Sequence, residues 1–188
     1  IIVDDGATSL ETAEHFAARP GGAPANVAVA LSRLGIPAAF CGAVGDDPFG
    51  VRLRNELITN KVDDASLTTI PGANTTLAFA WKDAQGDGFF RILRMADLLL
   101  DTAQIDAADI PGRAAIVMGS VGLTDEPSRS ALYYAADQAK KAGVPVVFDI
   151  NIRASLWQSA EAARVACHPL LDRATILKLS IDDARFLF

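Results

Sequence analysis

In the second half of the chain, three short strand-like runs, Ala114–Gly119, Val144–Phe148 and Thr175–Leu179, alternate with helical patterns, and Val144–Phe148 is nearly all apolar. A strand without a polar face has to be covered on both sides, and parallel neighbours have to be joined by a crossover, usually a helix. This alternation constrains the chain more than any other feature. It predicts an α/β fold, with a mostly parallel sheet and helices on both faces. The first crossover opens at Asp125-Glu126-Pro127, carries Leu132, Ala135, Ala136 and Ala139, and closes at Lys140-Lys141-Ala142-Gly143, with cations in the last turn and a glycine at the stop. Further helices are expected from about Ala160 to His168 and from Ile181 to Phe188. In open sheets of this kind ligands sit beyond the C-terminal ends of the strands, so those ends are inspected first.

The first half has the same unit with one interruption. Pro20-Gly21-Gly22-Ala23-Pro24-Ala25-Asn26 hands over to a helix beginning near Pro24, with Val27, Ala30, Leu31 and Leu34 on one face and Gly35 and Pro37 stopping it. Two glycines admit close approach of a ligand, and Asn26 in the first turn offers both a donor and an acceptor. A strand over Ala38–Val44 ends in Gly45-Asp46-Asp47-Pro48-Phe49-Gly50, which reads as turn and cap chemistry with no catalytic role. A helix then runs to about Asn60 on Phe49, Leu53 and Leu57. From Leu67 to Arg94 the period changes to two. Leu67–Ile70, Thr75–Trp81 and Phe89–Arg94 are read as an antiparallel insertion of the sort that serves as a lid, an edge or a dimer surface.

Two strand ends carry chemistry. After Phe148 the polarity switches on abruptly, and extended geometry would set Asp149, Asn151 and Arg153 on one side, where they could orient hydroxyls and pair with a phosphate. A structural Asp149–Arg153 ion pair is the alternative. At Lys178-Leu179-Ser180-Ile181-Asp182-Asp183 a strand meets a helix. Ser180 and Asp183 have capping-box spacing, and Lys178 with the acidic pair would equally suit polyphosphate and Mg²⁺.

Composition narrows the functional classes. At 188 residues and 51% hydrophobic content the chain can bury the core of one domain, and a net charge of −6 without a Lys/Arg run argues against nucleic acid or an anionic membrane as partner. No apolar stretch is long enough to span a bilayer, and the N-terminus lacks the pattern of a signal peptide. Cys41 and Cys167 suit buried free thiols in a reducing cytoplasm, and His15 and His168 have no metal-ligand spacing. A P-loop, a G-x-S-x-G elbow and a dinucleotide G-x-G-x-x-G are all missing.

Residues 20–35, with Val44-Gly45-Asp46-Asp47-Pro48-Phe49-Gly50 downstream, resemble the N-terminal signature of the PfkB (ribokinase-like) sugar kinases, most closely the fructokinase-like branch. Ala96-Asp97-Leu98-Leu99-Leu100, Phe148–Arg153 with Leu156-Trp157, and Lys178-Leu179-Ser180 extend the resemblance along the chain. It implies a three-layer α/β/α domain over residues 1–188 with β-lid segments at about 12–20 and 67–94. It also implies ATP and Mg²⁺ as cofactors, with a monovalent cation in the intact enzyme, and transfer of a phosphoryl group to a primary hydroxyl of a small sugar, most closely fructose. Gly21, Gly22, Asn26, Arg94, Asn151 and Arg153 would then hold the sugar, Lys178, Ser180 and Asp183 the nucleotide, and Asp183 the metal. Ser180 and Asp183 stand where the family commonly has an Asn-x-x-Glu pair, and the link from Arg94 to Ala96-Asp97 is shorter than usual. The aspartate of the family's G-A-G-D segment, the general base, would fall beyond residue 188, leaving this stretch alone inactive. The aspartate that follows the family's first strand would fall just before Ile1. Kinases for 2-keto-3-deoxygluconate, ribose or a nucleoside are the alternatives, with a non-catalytic sugar-binding module as the reading from another class. A cytoplasmic location and a homodimer through the lid, with Phe79, Trp81 and Phe89 in contact, complete the expectations.

Overall fold

The computed structural model describes all residues, Ile1–Phe188. The chain opens on two short antiparallel strands, β1 (Ile2–Val3) and β2 (Phe16–Ala17). Helix α1 (Ala23–Arg33) starts at Gly22, whose φ of 114° suits glycine, and has a proline in its first turn. Its packed side is Ala25, Ala28 and Val29. The face of Val27, Ala30, Leu31 and Leu34 is only partly covered: Val27 and Leu31 are half-buried, whereas Ala30 is exposed and Leu34 is 77% exposed. Apolar residues surround this helix, and periodicity alone does not say which side packs; here the small side meets Val44 and Leu67.

Strand β3 (Gly42–Gly45) is shorter than its apolar run, whose earlier part makes only an isolated parallel bridge, Ala39 to Asp63. Helix α2 (Pro48–Thr59) is capped by Asp47, which accepts the Gly50 N–H at 2.8 Å, as the turn residues imply. Strand β4 (Leu67–Ile70) pairs parallel with β3 from Gly42–Leu67 to Gly45–Ile70. It therefore stands apart from the antiparallel segment with which its alternation grouped it. Four alternating residues look the same beside a parallel or an antiparallel partner, which is why the sequence did not separate them.

Strands β5 (Leu77–Lys82) and β6 (Gly88–Leu93) form the expected hairpin, in register from Leu77–Leu93 to Lys82–Gly88. Asp83 closes its turn by accepting the Gln85 and Asp87 N–H groups, both at 2.9 Å. Strand β1 adds parallel to β5 and gives a four-stranded sheet in the order β2-β1-β5-β6.

After a short helix, α3 (Thr102–Asp106), the strand–helix alternation resumes with β7 (Ile116–Gly119), α4 (Ser128–Ala142), β8 (Val146–Asp149), α5 (Ala160–Leu171), β9 (Ile176–Lys178) and α6 (Ile181–Leu187). Helix α4 presses Ala131, Ala135, Ala136 and Ala139 into the core and ends on Gly143 at φ 71°. The main core surrounds Met118, Phe148, Ile150 and Leu170. Fully burying side chains such as Phe148 and Ile150 contributes roughly 1.5–3 kcal/mol each. Strands β7, β8 and β9 are parallel, with Gly119, Asp149 and Lys178 in line, so their C-terminal ends form one edge. Apart from β1 beside β5, the parallel strands fall into two hydrogen-bonded groups, β3-β4 and β7-β8-β9.

Candidate active site

Beyond Asp149 the chain leaves the sheet. Ile150 still bonds to it, its N–H donating to the Lys178 carbonyl at 2.9 Å. Asn151 then takes a left-handed φ of 42°, which ends the extended geometry that would have set Asp149, Asn151 and Arg153 side by side. Asp149 parts from the other two as a result. Asp149 accepts from Lys178 Nζ at 2.8 Å, whereas Arg153 Nη1 donates to Asn151 Oδ1 at 2.8 Å and to the Ile152 carbonyl at 3.0 Å. The alternative Asp149–Arg153 ion pair is therefore not formed. The guanidinium of Arg153 also lies 5.0 Å from the centre of the Phe90 ring on β6, so the hairpin and the sheet edge meet here.

The β9–α6 junction has the capping box read from its spacing. Ser180 Oγ accepts the Asp183 N–H at 3.0 Å, while Asp183 Oδ2 accepts the Ser180 N–H and hydroxyl, each at 2.8 Å. The other carboxylate oxygen, Oδ1, accepts the Ile152 N–H at 2.7 Å. Burial works to raise the pKa of Asp183, but the Ser180 and Ile152 donors outweigh it, and the net shift is downward. Asp183 is only 7% exposed. Both oxygens accept from internal donors, and through them Asp183 braces the Asn151–Arg153 loop. No group of three His, Cys, Asp or Glu side chains is arranged to hold a metal ion. Of the three residues expected at the nucleotide, Lys178 alone offers a charge to solvent, its side chain being 69% exposed.

Arg94 is likewise drawn inward. Its side chain is 8% exposed, with Nη2 2.5 Å from Asp97 Oδ2 and Nη1 donating to the Val121 carbonyl at 2.8 Å and Thr124 Oγ1 at 2.7 Å. It clamps the end of β6 to the segment after β7: Nε and Nη1 donate to partners in the chain, while the buried Nη2 lies beside Asp97 without a hydrogen bond.

At the start of α1, Gly21, Gly22 and Asn26 are exposed. Nothing lies within 4 Å of a Cβ built on Gly21, whereas Gly22 is held by its φ. Asn26 donates its N–H to the Gly22 carbonyl at 2.9 Å, closing the first turn. Asn151, Arg153, Lys178, Ser180 and Asp183 thus form one connected edge, Arg94 ties the hairpin to the segment after β7, and the α1 trio stands as a separate group.

Sequence reading missed two further features. Asp4 directly follows β1 and is exposed, so an aspartate after a first strand lies within these residues. The strand's shortness hid it. Asp47 does more than cap: it also accepts the Thr75 N–H at 2.6 Å and the Thr75 hydroxyl at 2.8 Å, and that hydroxyl accepts the Gly45 N–H at 3.0 Å. A Cβ on Gly45 or Gly50 would strike backbone at 2.4 and 2.1 Å, so this glycine-rich segment is a structural knot. Burial pushes both cysteine thiols up to about 11, in keeping with inert free thiols.

The sequence model of the pfkB family of carbohydrate kinases matches residues 1–188. Fructokinase-1 of Oryza sativa subsp. japonica is 43% identical over 181 residues, 95% of this chain and 56% of the relative. Probable fructokinase-2 of Arabidopsis thaliana is 40% identical over 188 residues, 99% of this chain and 57% of the relative. The chain therefore spans about half the length of the curated relatives it matches. Among solved structures, an uncharacterized sugar kinase from Pyrococcus horikoshii superposes with a TM-score of 0.92 at 29% identity, over 99% of this chain and 61% of that one. The fructokinase of Vibrio cholerae O395 in its fructose, ADP and calcium ion bound form gives 0.80 at 31% identity, over 93% and 56%. The ribokinase-like α/β fold expected from the sequence is the one found.

Proposed function

The chain belongs to the pfkB family of carbohydrate kinases, and on that premise we propose that it is the N-terminal part of an ATP-dependent kinase that phosphorylates a primary hydroxyl of a small sugar, fructose foremost. The observation that carries this reading is the meeting of Arg153 with Phe90. A polar strand end and a separate antiparallel hairpin face one another, which is the arrangement that positions a polyhydroxy ligand and excludes water around it. Fructokinases among the relatives, one of them solved with fructose and ADP, favour the same substrate class.

Phosphoryl transfer asks a protein chiefly for positioning and for charges at the moving group. In the proposed division of labour, Gly21 and Gly22 form the floor beneath the sugar, and Asn26, Asn151 and Asp4 read its hydroxyls. Arg153 donates to it from the hairpin side, and the four-stranded sheet acts as the lid. Lys178 meets phosphate by exchanging Asp149 for it. Ser180 and Asp183 serve the nucleotide by holding the loop and the start of α6. ATP brings the transferable phosphoryl group. A magnesium ion accompanying it would be held with the help of Asp183 and would supply positive charge at the moving phosphoryl group. The general base is assigned to a G-A-G-D segment outside these 188 residues, so the stretch alone is proposed to be inactive. A cytoplasmic location and pairing of two copies through the hairpin sheet, where Trp81 stacks on Phe89, belong to the same proposal. No helix is long and apolar enough to cross a membrane.

The test is a substrate panel on the full-length protein with ATP and Mg²⁺, comparing fructose, ribose, 2-keto-3-deoxygluconate and adenosine. Fructose is expected to give the highest kcat/KM by at least about tenfold, the discrimination that a few directed hydrogen bonds supply. Equal indifference to all four would remove the kinase reading, and preference for another member would reassign the substrate.

A further inference from the structure

Arg153 is held in two different ways. From below, Nη1 is tied to Asn151 Oδ1 and to the Ile152 carbonyl, and Ile152 is itself pinned by Asp183. From the hairpin side, the guanidinium lies over the ring of Phe90. A cation over an aromatic face keeps its N–H edge free to donate, so this second hold fixes the group without consuming its hydrogen bonds. Phe90 is poorly explained as a core residue. It is 42% exposed, its cross-strand neighbour is Ala80, and the hairpin sheet has other aromatic pairs, Trp81 with Phe89 and Phe16 with Phe79, to hold it together.

We propose that Phe90 is a positioning residue: its ring sets the guanidinium of Arg153, and through it couples the place of the hairpin to the polar end of β8. The part of this that concerns substrate rests on the sugar-kinase reading; the coupling itself does not. A hairpin in place presents Arg153 with free donors toward the ligand, and a displaced hairpin releases the arginine to the solvent.

Three variants of the full-length protein test it: Phe90→Leu, which keeps apolar bulk and removes the ring, Phe90→Trp, which keeps a ring face, and Arg153→Met. Phe90→Leu is expected to raise the KM for the sugar about fivefold, a size set by cation–π attraction at a partly exposed site, with kcat within about twofold of the parent and the KM for ATP unchanged. Phe90→Trp is expected to restore the sugar KM. A neutral Phe90→Leu, or a Phe90→Trp as poor as the leucine, would overturn the proposal. Hydrogen exchange of the β6 amides without ligand supplies the second readout. Phe90→Leu and Arg153→Met should each speed exchange, and the double variant should be no faster than the faster single one. Additive acceleration would overturn the coupling whatever the kinetics give. Non-additive exchange in a protein that phosphorylates no sugar would remove the functional reading and leave the coupling standing.

Discussion

Asp183 holds Ile152: its Oδ1 accepts the Ile152 N–H at 2.7 Å while its Oδ2 accepts from Ser180. One carboxylate thereby caps α6 and braces the loop that carries Asn151 and Arg153. In Asp183→Ala two backbone donors lose their acceptor, and at about 1–3 kcal/mol for each group left unsatisfied the expected loss is about 2–6 kcal/mol. It should appear in the full-length protein as a lower urea midpoint with an unchanged m-value. A variant that kept its stability and lost only ATP binding would show that this carboxylate serves the nucleotide and not the fold.

Acid should undo the same bond. Burial opposes ionisation of Asp183, but its donors prevail and hold the folded pKa below the ordinary value; Asp47, with Thr75 and Gly50 as donors, is shifted the same way. A depressed carboxylate contributes stability that is present above the unfolded pKa, about 3.9 for aspartate, and is lost as pH falls through the folded value. The melting temperature is therefore expected to be insensitive to these two groups near neutrality and to fall as pH drops below about 4. Asp183→Asn should flatten that acid limb. An unchanged limb in both Asp183→Asn and Asp47→Asn would refute the assignment.

Much of the scaffold was legible because burial writes itself into periodicity. The apolar runs that became β7 and β8, the Gly143 stop and the Ser180–Asp183 spacing all act locally, and each was found where its residues place it, whereas β9 forms with all three of its residues exposed. Direction was less legible. The sequence proposes that Arg94, Asp149, Arg153 and Asp183 face a ligand, but an ionic side chain turns toward the best partner that folding brings. For Arg94 that partner is Asp97, and for Asp149 it is Lys178 from the next strand. The partner of β4 was hidden for a related reason, since a ladder is a long-range fact and four residues of alternation carry no strand direction. Asp4 went unrecognised because a two-residue strand has no period to read.

Lys178 separates a charge used for binding from one used for stability. Its pair with Asp149 is solvent-exposed on the lysine side, and exposed pairs are worth about 0–1 kcal/mol. Lys178→Gln should therefore keep the urea midpoint within that margin while raising the KM for ATP about tenfold, in line with a charged hydrogen bond to phosphate of roughly 1.5 kcal/mol. Stopped-assay kinetics over an ATP titration read this out. An unchanged ATP KM would confine Lys178 to its pair with Asp149.

The two glycines at the head of α1 should fail differently when given a side chain. Gly22 sits at φ 114°, and forcing alanine into such a conformation costs about 1–3 kcal/mol, so Gly22→Ala should lower stability and blur α1's start. At Gly21 the backbone is unstrained and a Cβ meets nothing within 4 Å, so Gly21→Ala should fold as the parent does. If a sugar lies on this floor, the methyl group occupies space belonging to the ligand, and Gly21→Ala should raise the sugar KM about tenfold, the size of a small steric mismatch in a close-fitting pocket. The KM for ATP should stay the same. Thermal melts alongside fructose and ATP titrations separate the two positions. Gly21→Ala binding fructose as tightly as the parent would move the sugar away from α1, even if Gly22→Ala proved as destabilising as its backbone demands.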